Sequence, residues 1–167
     1  MKGAILERGI EQYTNLSLFL PIIKEDILFY NWLLTDIDSN YQSDSIIKND
    51  YEFLSGREFV QLIDKNEFRF AWGVFSAFPK ERKVEEIVLN GLPFADGNTE
   101  FWENPISMQN PLAVTEMVLW DGILALIISR NDKTINQFLN FYEFSESLED
   151  YNNRKCGKIN GPKYLTT

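Results

Sequence analysis

The apolar residues in the first part of the chain change from strand-like to helical spacing. Lys2–Arg8 alternates weakly and predicts an edge strand, whereas apolar residues from Ile10 to Leu20 recur at helical intervals. The second pattern predicts a helix over residues 10–20. We expect this helix to end at Pro21, because proline cannot continue the hydrogen-bond ladder.

Two further segments carry recognisable boundary signals. Ile27–Asp38 is rich in large apolar residues and closes with the alternating Thr35–Asp38, which predicts a strand that leaves the core. Ser55 and Glu58 form a capping box, in which the serine hydroxyl accepts the amide three residues on and the glutamate reaches back. An apolar stripe follows, so residues 56–66 are predicted to form an amphipathic helix.

The segment Phe68–Phe78 predicts a strand with two unequal faces. Most bulky residues lie at even-numbered positions and so face one side of the strand. The small residues Ala71, Gly73 and Ala77 lie at odd-numbered positions and face the other side, with Phe75 as the exception. A helix packed over the small face is the favoured explanation. Close approach of a ligand to the backbone is the alternative.

A hairpin is the clearest pattern in the second half of the chain. Ala113–Trp120 and Ile123–Ser129 are apolar, β-rich runs separated by Asp121-Gly122, the pair that a two-residue type I′ turn favours. Both runs are apolar at odd and even positions alike, which means that both faces of each strand are apolar. We therefore predict that they lie centrally in an antiparallel sheet. A shorter strand is predicted over Lys83–Asn90.

Helical patterns return after the hairpin. Asn131 is placed to cap a helix whose apolar face repeats up to Tyr142, and Ser145 is predicted to start a final turn that reaches Tyr151. From residue 154 onward, glycine, proline and four cations occur without an apolar period. This composition predicts a flexible basic tail over residues 154–167.

Together these elements predict an α+β fold. We expect a single domain over residues 1–153, with an antiparallel sheet built around a central hairpin at about 113–129. About three helices are expected to pack on that sheet.

Composition narrows the possible chemistry. The chain has no histidine and one cysteine, Cys156, so imidazole-based catalysis, an internal disulfide and a structural zinc site are not expected. Phosphate-loop, dinucleotide-binding and hydrolase-elbow motifs are also missing from the sequence. We therefore expect a non-enzymatic protein without metal or cofactor. The chain shows neither a signal-peptide pattern nor a long apolar run, which predicts a cytoplasmic protein.

The charge distribution indicates the kind of partner. The net charge is -9, and residues 1–153 hold all 25 acidic residues but only 12 of the 16 basic ones, a balance of -13. Such a body repels nucleic acid and anionic membranes and attracts basic proteins. The sequence therefore predicts a basic protein partner.

Carboxylates provide the main alternative to a pure binding role. Asp36 and Asp38 lie at alternate positions of a predicted strand, so their side chains are expected to face the same way and to be able to share a magnesium ion. Glu116 interrupts an apolar run. It either points outward to water, which is the favoured interpretation, or is buried with a raised pKa, as in a general acid.

The segment Leu92–Pro111 is a long loop without a period, and such loops are often functional. Its aromatic residues Phe94, Phe101 and Trp102 are either exposed anchors for a partner or core residues beneath the loop. The predicted binding surface combines this loop with the acidic segment Asp36–Asp50. Its candidate residues are Asp36, Asp38, Tyr41, Asp44, Phe94, Phe101 and Trp102.

Short segments across residues 28–152 also carry a resemblance to known proteins. They are Tyr30-Asn31-Trp32, Thr35-Asp36, Trp72–Ser76, Asn110–Ala113 before Glu116, Trp120-Asp121 and Asp150–Asn152. The chain resembles small acidic proteins found beside bacterial polymorphic toxins. The resemblance implies an immunity-type or uncharacterised protein that neutralises its partner by binding, and it assigns no catalytic residue.

Three functional hypotheses follow from the sequence. The leading one is an acidic binding protein, of immunity type, that neutralises a cationic toxin. The second is a metal-dependent hydrolase that uses Asp36, Asp38 and Glu116. The third is a constitutive subunit of an oligomer.

Overall fold

The computed structural model describes residues 1–24, 26–38, 50–64 and 70–156. Its strands are β1 (Lys2–Leu6), β2 (Tyr30–Asp38), β3 (Tyr51–Ser55), β4 (Trp72–Pro79), β5 (Thr115–Trp120), β6 (Leu124–Ser129) and β7 (Glu146–Ser147). Its α-helices are α1 (Leu20–Ile23), α2 (Gly56–Asp64), α3 (Val84–Leu89), α4 (Asp132–Phe141) and α5 (Leu148–Cys156). Single 3₁₀ turns occupy Leu16–Leu18 and Glu100–Trp102.

The strands form one seven-stranded sheet in the order β3-β2-β4-β5-β6-β1-β7, and neighbouring strands run antiparallel. The predicted α+β class is therefore confirmed. The hairpin β5–β6 lies inside the sheet, between β4 and β1, and nearly all of its residues are buried. Residues at odd and even positions of the hairpin are apolar because both faces of the sheet are covered.

The hairpin turn contains one more residue than predicted. Asp121 and Gly122 both have positive φ, at 45° and 65°, and the Ile123 amide donates to the Trp120 carbonyl at 2.9 Å, as in a type I′ turn. The strand register, however, pairs Trp120 with Leu124. Ile123 is therefore an extra residue between the turn and the first paired position.

Helices cover the first face of the sheet. Their buried side chains include Ile22, Ile23, Phe59, Leu62, Ile135 and Phe138. Phe59 of α2 stacks on Phe75 of β4, with ring centroids 6.1 Å apart. Ala77, another residue of this face, lies in the same cluster. The prediction that a helix packs over the small-residue face of β4 is confirmed.

The N-terminus of α2 confirms the capping box. The Glu58 amide donates to Ser55 Oγ at 3.3 Å, and the Ser55 amide donates to Glu58 Oε2 at 2.7 Å. At the N-terminus of α4, the Asn131 side chain accepts from the Lys133 amide at 3.0 Å and caps the helix as predicted.

The second face of the sheet is covered differently. Here α3, α5 and the long irregular segment 92–113 supply the buried side chains, among them Ile87, Ala95, Phe101, Met108, Leu148 and Tyr151. The segment 92–113 therefore acts as a packing layer, which places part of the predicted loop inside the core.

Three predicted elements differ from the observed ones. The helix predicted over residues 10–20 is wrong, because only Leu16–Leu18 and Leu20–Ile23 are helical and Pro21 lies in the first turn of the second helix. Proline is tolerated in a first turn, where its missing amide has no partner to lose. Strand β1 is not an edge strand, since it pairs with β6 on one side and β7 on the other.

The third difference is α3, which replaces the strand predicted over Lys83–Asn90. The amides of Asn90 and Gly91 donate to carbonyls of the last turn, and Gly91 has φ of 102°, which is a usual helix ending. At the end of the chain, α5 continues through Arg154 and Lys155 to Cys156. The rest of the predicted basic tail, 157–167, lies outside the described residues.

Candidate binding surface

Three of the four tryptophans meet at one end of the sheet. Trp72 and Trp120 are paired across β4 and β5, and their ring centroids are 5.2 Å apart. Trp102 from the long loop meets Trp120 edge-on, with centroids 6.5 Å apart and an interplanar angle of 78°. All three residues are half-buried. We call Trp72, Trp102 and Trp120 the tryptophan cluster.

Four acidic residues lie on the strand ends and the loop that carry this cluster. Asp38 is the cross-strand partner of Trp72 in the neighbouring strand β2. Asp121 follows Trp120, and Glu100 lies in the same 3₁₀ turn as Trp102. Asp96 is held near the end of β2 by the contacts of Asp36 described below. We call Asp38, Asp96, Glu100 and Asp121 the acidic rim; Asp38 is half-buried and the other three are exposed.

Asp36 attaches the long loop to the sheet. One carboxylate oxygen accepts the amides of Ala95 and Asp96 at 2.7 and 2.8 Å. The preceding Thr35 hydroxyl donates to the Pro93 carbonyl at 2.6 Å. Asp36 has a positive φ of 50°, and the register with β4 shifts between Thr35 and Asp38. This bulge interrupts the alternation from which Asp36 and Asp38 were expected to act as an equivalent pair.

The loop is fixed at its other end as well. The Gln109 side chain bonds both backbone groups of Phe94, accepting from its amide at 2.8 Å and donating to its carbonyl at 2.9 Å. Asn110 Nδ2 donates to the carbonyls of Ile87 and Gly91. These bonds join the two ends of the loop and hold both against the second face of the sheet.

The predicted aromatic residues of the loop take three different positions. Phe101 is 1% exposed and belongs to the core, so for this residue the core alternative holds. Phe94 is 48% exposed beside the Asp36 contacts, and Trp102 lies in the tryptophan cluster. Trp102 Nε1 is buried and has no hydrogen-bond partner among the described residues. Tyr41 and Asp44 lie outside the described residues.

Glu116 is completely buried, so the outward-facing interpretation is wrong. Its two carboxylate oxygens accept the backbone amides of Gln109 and Asn110, both at 2.9 Å. Burial raises its pKa to about 7, although the two amides and the nearby Arg130 oppose this change. Its cross-strand partner Ser76 carries a buried hydroxyl without a partner in the described structure. Glu116 therefore serves as an internal attachment point for the loop.

These contacts bear on the hydrolase hypothesis. Asp36 and Glu116 use their carboxylates to hold separate parts of the same loop, and Glu116 is closed off from solvent. Across the residues that the structure describes, no group of three histidine, cysteine or acidic residues is placed to hold a metal ion. The arrangement favours a structural use of both carboxylates.

Sequence reasoning missed Trp72 and Trp120 as parts of a surface. Each was assigned to a strand, but their meeting depends on the register between β4 and β5. A signal was present, since both residues lie at the strand ends farthest from the β4–β5 crossover. Pairing these two strands in the sequence would have brought them together.

The chain was also compared with known proteins. No protein-family model matches it, and neither curated proteins nor solved structures gave a match. Within the described ranges, no helix is long and apolar enough to cross a membrane.

Proposed function

We propose that this protein is a non-enzymatic binding protein that holds a basic protein partner on the surface formed by the tryptophan cluster, the acidic rim and Phe94. The observation that carries the proposal is that half-buried tryptophans and acidic residues occur together at one end of the sheet. Tryptophan is the residue most enriched among energetic hot spots, and carboxylates select a cationic partner.

The position and stiffness of the loop support this proposal. Asp36, Gln109 and Glu116 hold the loop by side-chain bonds to its backbone, so Phe94 and Trp102 are presented on a fixed scaffold. A surface that is ordered before binding loses less conformational entropy when the partner arrives. The net charge of -9 adds a long-range attraction for a basic partner.

An immunity-type role is the specific form of this proposal. The resemblance to small acidic proteins found beside polymorphic toxins favours a toxin as the basic partner. Neutralisation by binding needs affinity and a fast encounter but no catalytic group, which suits an acidic, histidine-free chain. The cytoplasm is the compartment in which such a protein protects its own cell.

Affinity capture from the native host, followed by identification of the bound protein, tests the proposal. The bait is the full chain, compared with a variant carrying Asp38→Asn, Asp96→Asn and Glu100→Gln. We expect the wild type to retain a protein of basic isoelectric point and the variant to retain much less.

A matched control separates local from total charge. Glu81→Gln, Glu85→Gln and Glu143→Gln remove the same number of carboxylates elsewhere. Glu81 and Glu85 come directly after the end of β4 that is opposite to Trp72. This control should capture the partner nearly as well as the wild type. Retention of an acidic partner, or equal loss with both triple variants, would count against the proposed surface.

A further inference from the structure

The tryptophan cluster has the chemical character of a cation site. The faces of indole rings carry the negative part of the ring quadrupole, and tryptophan is the strongest cation–π partner among the aromatic residues. Three such rings lie together here, with centroid separations of 5.2 and 6.5 Å along the series Trp72, Trp120, Trp102. Asp38 is the cross-strand partner of Trp72, which puts a carboxylate-bearing residue directly beside one of the rings.

Trp102 occupies a position that hydrogen bonding alone does not favour. Its Nε1 is buried without an acceptor among the described residues, and an unsatisfied buried donor is destabilising. By contrast, Nε1 of the fourth tryptophan, Trp32, donates to the Ile27 carbonyl at 3.1 Å in the core. A guanidinium carries donors only and cannot accept this N–H, so Trp102 contributes to a cation site through its ring and not through Nε1.

The chain uses cation–π contacts elsewhere on its own surface. Arg8 lies 4.9 Å from the centre of the Phe144 ring, and Arg154 and Lys155 lie 5.9 and 5.1 Å from that of Tyr151. These cations and rings come from residues near the two ends of the sequence and not from the tryptophan cluster. The tryptophan cluster has stronger rings and adjacent carboxylates, so it suits a cation supplied by a partner.

Arginine fits this arrangement better than lysine. Its guanidinium is planar, stacks on aromatic faces and bonds a carboxylate with two parallel donors, and it is less strongly hydrated than an ammonium group. A half-buried surface removes part of the hydration shell, which costs less for guanidinium than for ammonium.

We propose that the tryptophan cluster and Asp38 form a binding site for an arginine side chain of the basic partner. This inference rests on the proposed function and specifies the group that the surface recognises. The guanidinium stacks on the indole faces while Asp38, the cross-strand neighbour of Trp72, accepts its hydrogen bonds.

Nuclear magnetic resonance of the ¹⁵N-labelled full chain tests this site, because each tryptophan gives one indole N–H signal. The probe is an acetylated, amidated peptide of alternating glycine and arginine. Matched peptides carry lysine or citrulline in place of arginine; citrulline keeps the shape but lacks the charge. We expect the signals of Trp72, Trp102 and Trp120 to shift with the arginine peptide, whereas Trp32, which is 1% exposed in the opposite face, stays unchanged.

Variants then assign the contact. Trp72→Leu should weaken binding of the arginine peptide roughly threefold to tenfold, as expected for loss of one cation–π contact, and Trp72→Phe should restore part of the affinity. Asp38→Asn should reduce the preference for arginine over lysine. The Trp32 signal in each variant reports whether the core is still folded.

The outcomes separate this site from the wider proposal. Equal shifts with citrulline, or binding of arginine peptide that Trp72→Leu leaves unchanged, would overturn the arginine site. If both basic peptides bind in a salt-sensitive way while the three indole signals stay fixed, the site is wrong but the acidic binding surface stands. If neither basic peptide binds and capture yields no basic protein, both proposals fail.

Discussion

A single buried carboxylate, Glu116, links the pH of the solution to the stability of the fold. Burial raises its pKa to about 7 from an ordinary value of 4.5. Between these two values the folded protein keeps a proton that the unfolded chain has released, so the contribution of Glu116 to stability is fully present below pH 4.5 and is lost as the pH rises through 7. The full effect of such a shift is on the order of 3 kcal/mol.

Glu116→Gln should remove this pH dependence. Chemical denaturation of the wild type and the variant at about pH 5 and about pH 8 gives the free energy of unfolding in each case. We expect the variant to be less stable at pH 5, because its amide group cannot accept both loop amides. The advantage of the wild type should shrink at pH 8. A constant difference at both pH values would show that Glu116 titrates normally.

Asp36 and Asp38 lie two residues apart, and we expect them to contribute differently to the stability of the fold. Asp36 accepts two loop amides and has φ of 50°, so Asp36→Ala should destabilise the protein by about 1–3 kcal/mol. Asp38→Asn should change stability by less than about 0.5 kcal/mol, as for most surface substitutions. Thermal or chemical denaturation distinguishes them. Similar losses in both variants would show that Asp38 also holds the loop.

At the level of elements, the β5–β6 turn gives a direct test of backbone conformation. Gly122 has φ of 65°, and a Cβ added there meets nothing within 4 Å. Gly122→Val should therefore cost about 1 kcal/mol or more from backbone strain alone, because β-branched residues disfavour positive φ. Gly122→Asn, which tolerates this region, is the matched control and should cost less. Equal losses of stability, measured by denaturation, would rule out φ as the cause.

Elements with their own local signals were the ones that the sequence predicted well. The capping box at Ser55 and the turn pair Asp121-Gly122 each define a structure within a few residues. The segment Lys83–Asn90 is helical although a strand is predicted there, because its four apolar residues are compatible with either a short strand or a short helix. Gly91, which ends the helix, is the residue that distinguishes the two. The segment 10–20 had helical spacing, but it contains only isolated turns packed on the sheet.

The candidate surface depends on contacts between distant parts of the chain, which sequence patterns do not contain. Asp36 meets Ala95, and Trp102 meets Trp120, only because the long loop folds back over the second face of the sheet. Sequence reasoning placed Asp36 and the loop on one surface, and the structure brings them together. The sequence alone could not distinguish the buried Phe101 from the adjacent half-buried Trp102, since both are aromatic residues in a segment without a regular apolar spacing.

At the scale of the whole molecule, the acidic charge and the aromatic cluster should control different steps of binding. Long-range attraction speeds the encounter and is screened by salt, whereas desolvated aromatic contacts mainly set dissociation. With the captured partner, surface plasmon resonance should show an on-rate that falls between about 50 and about 500 mM salt while the off-rate changes less. Neutralising Asp38, Asp96 and Glu100 should slow association more than neutralising Glu81, Glu85 and Glu143, and Trp102→Ala should speed dissociation. If the kinetics do not respond to salt, the net charge of -9 acts only on solubility, and recognition rests on the aromatic contacts alone.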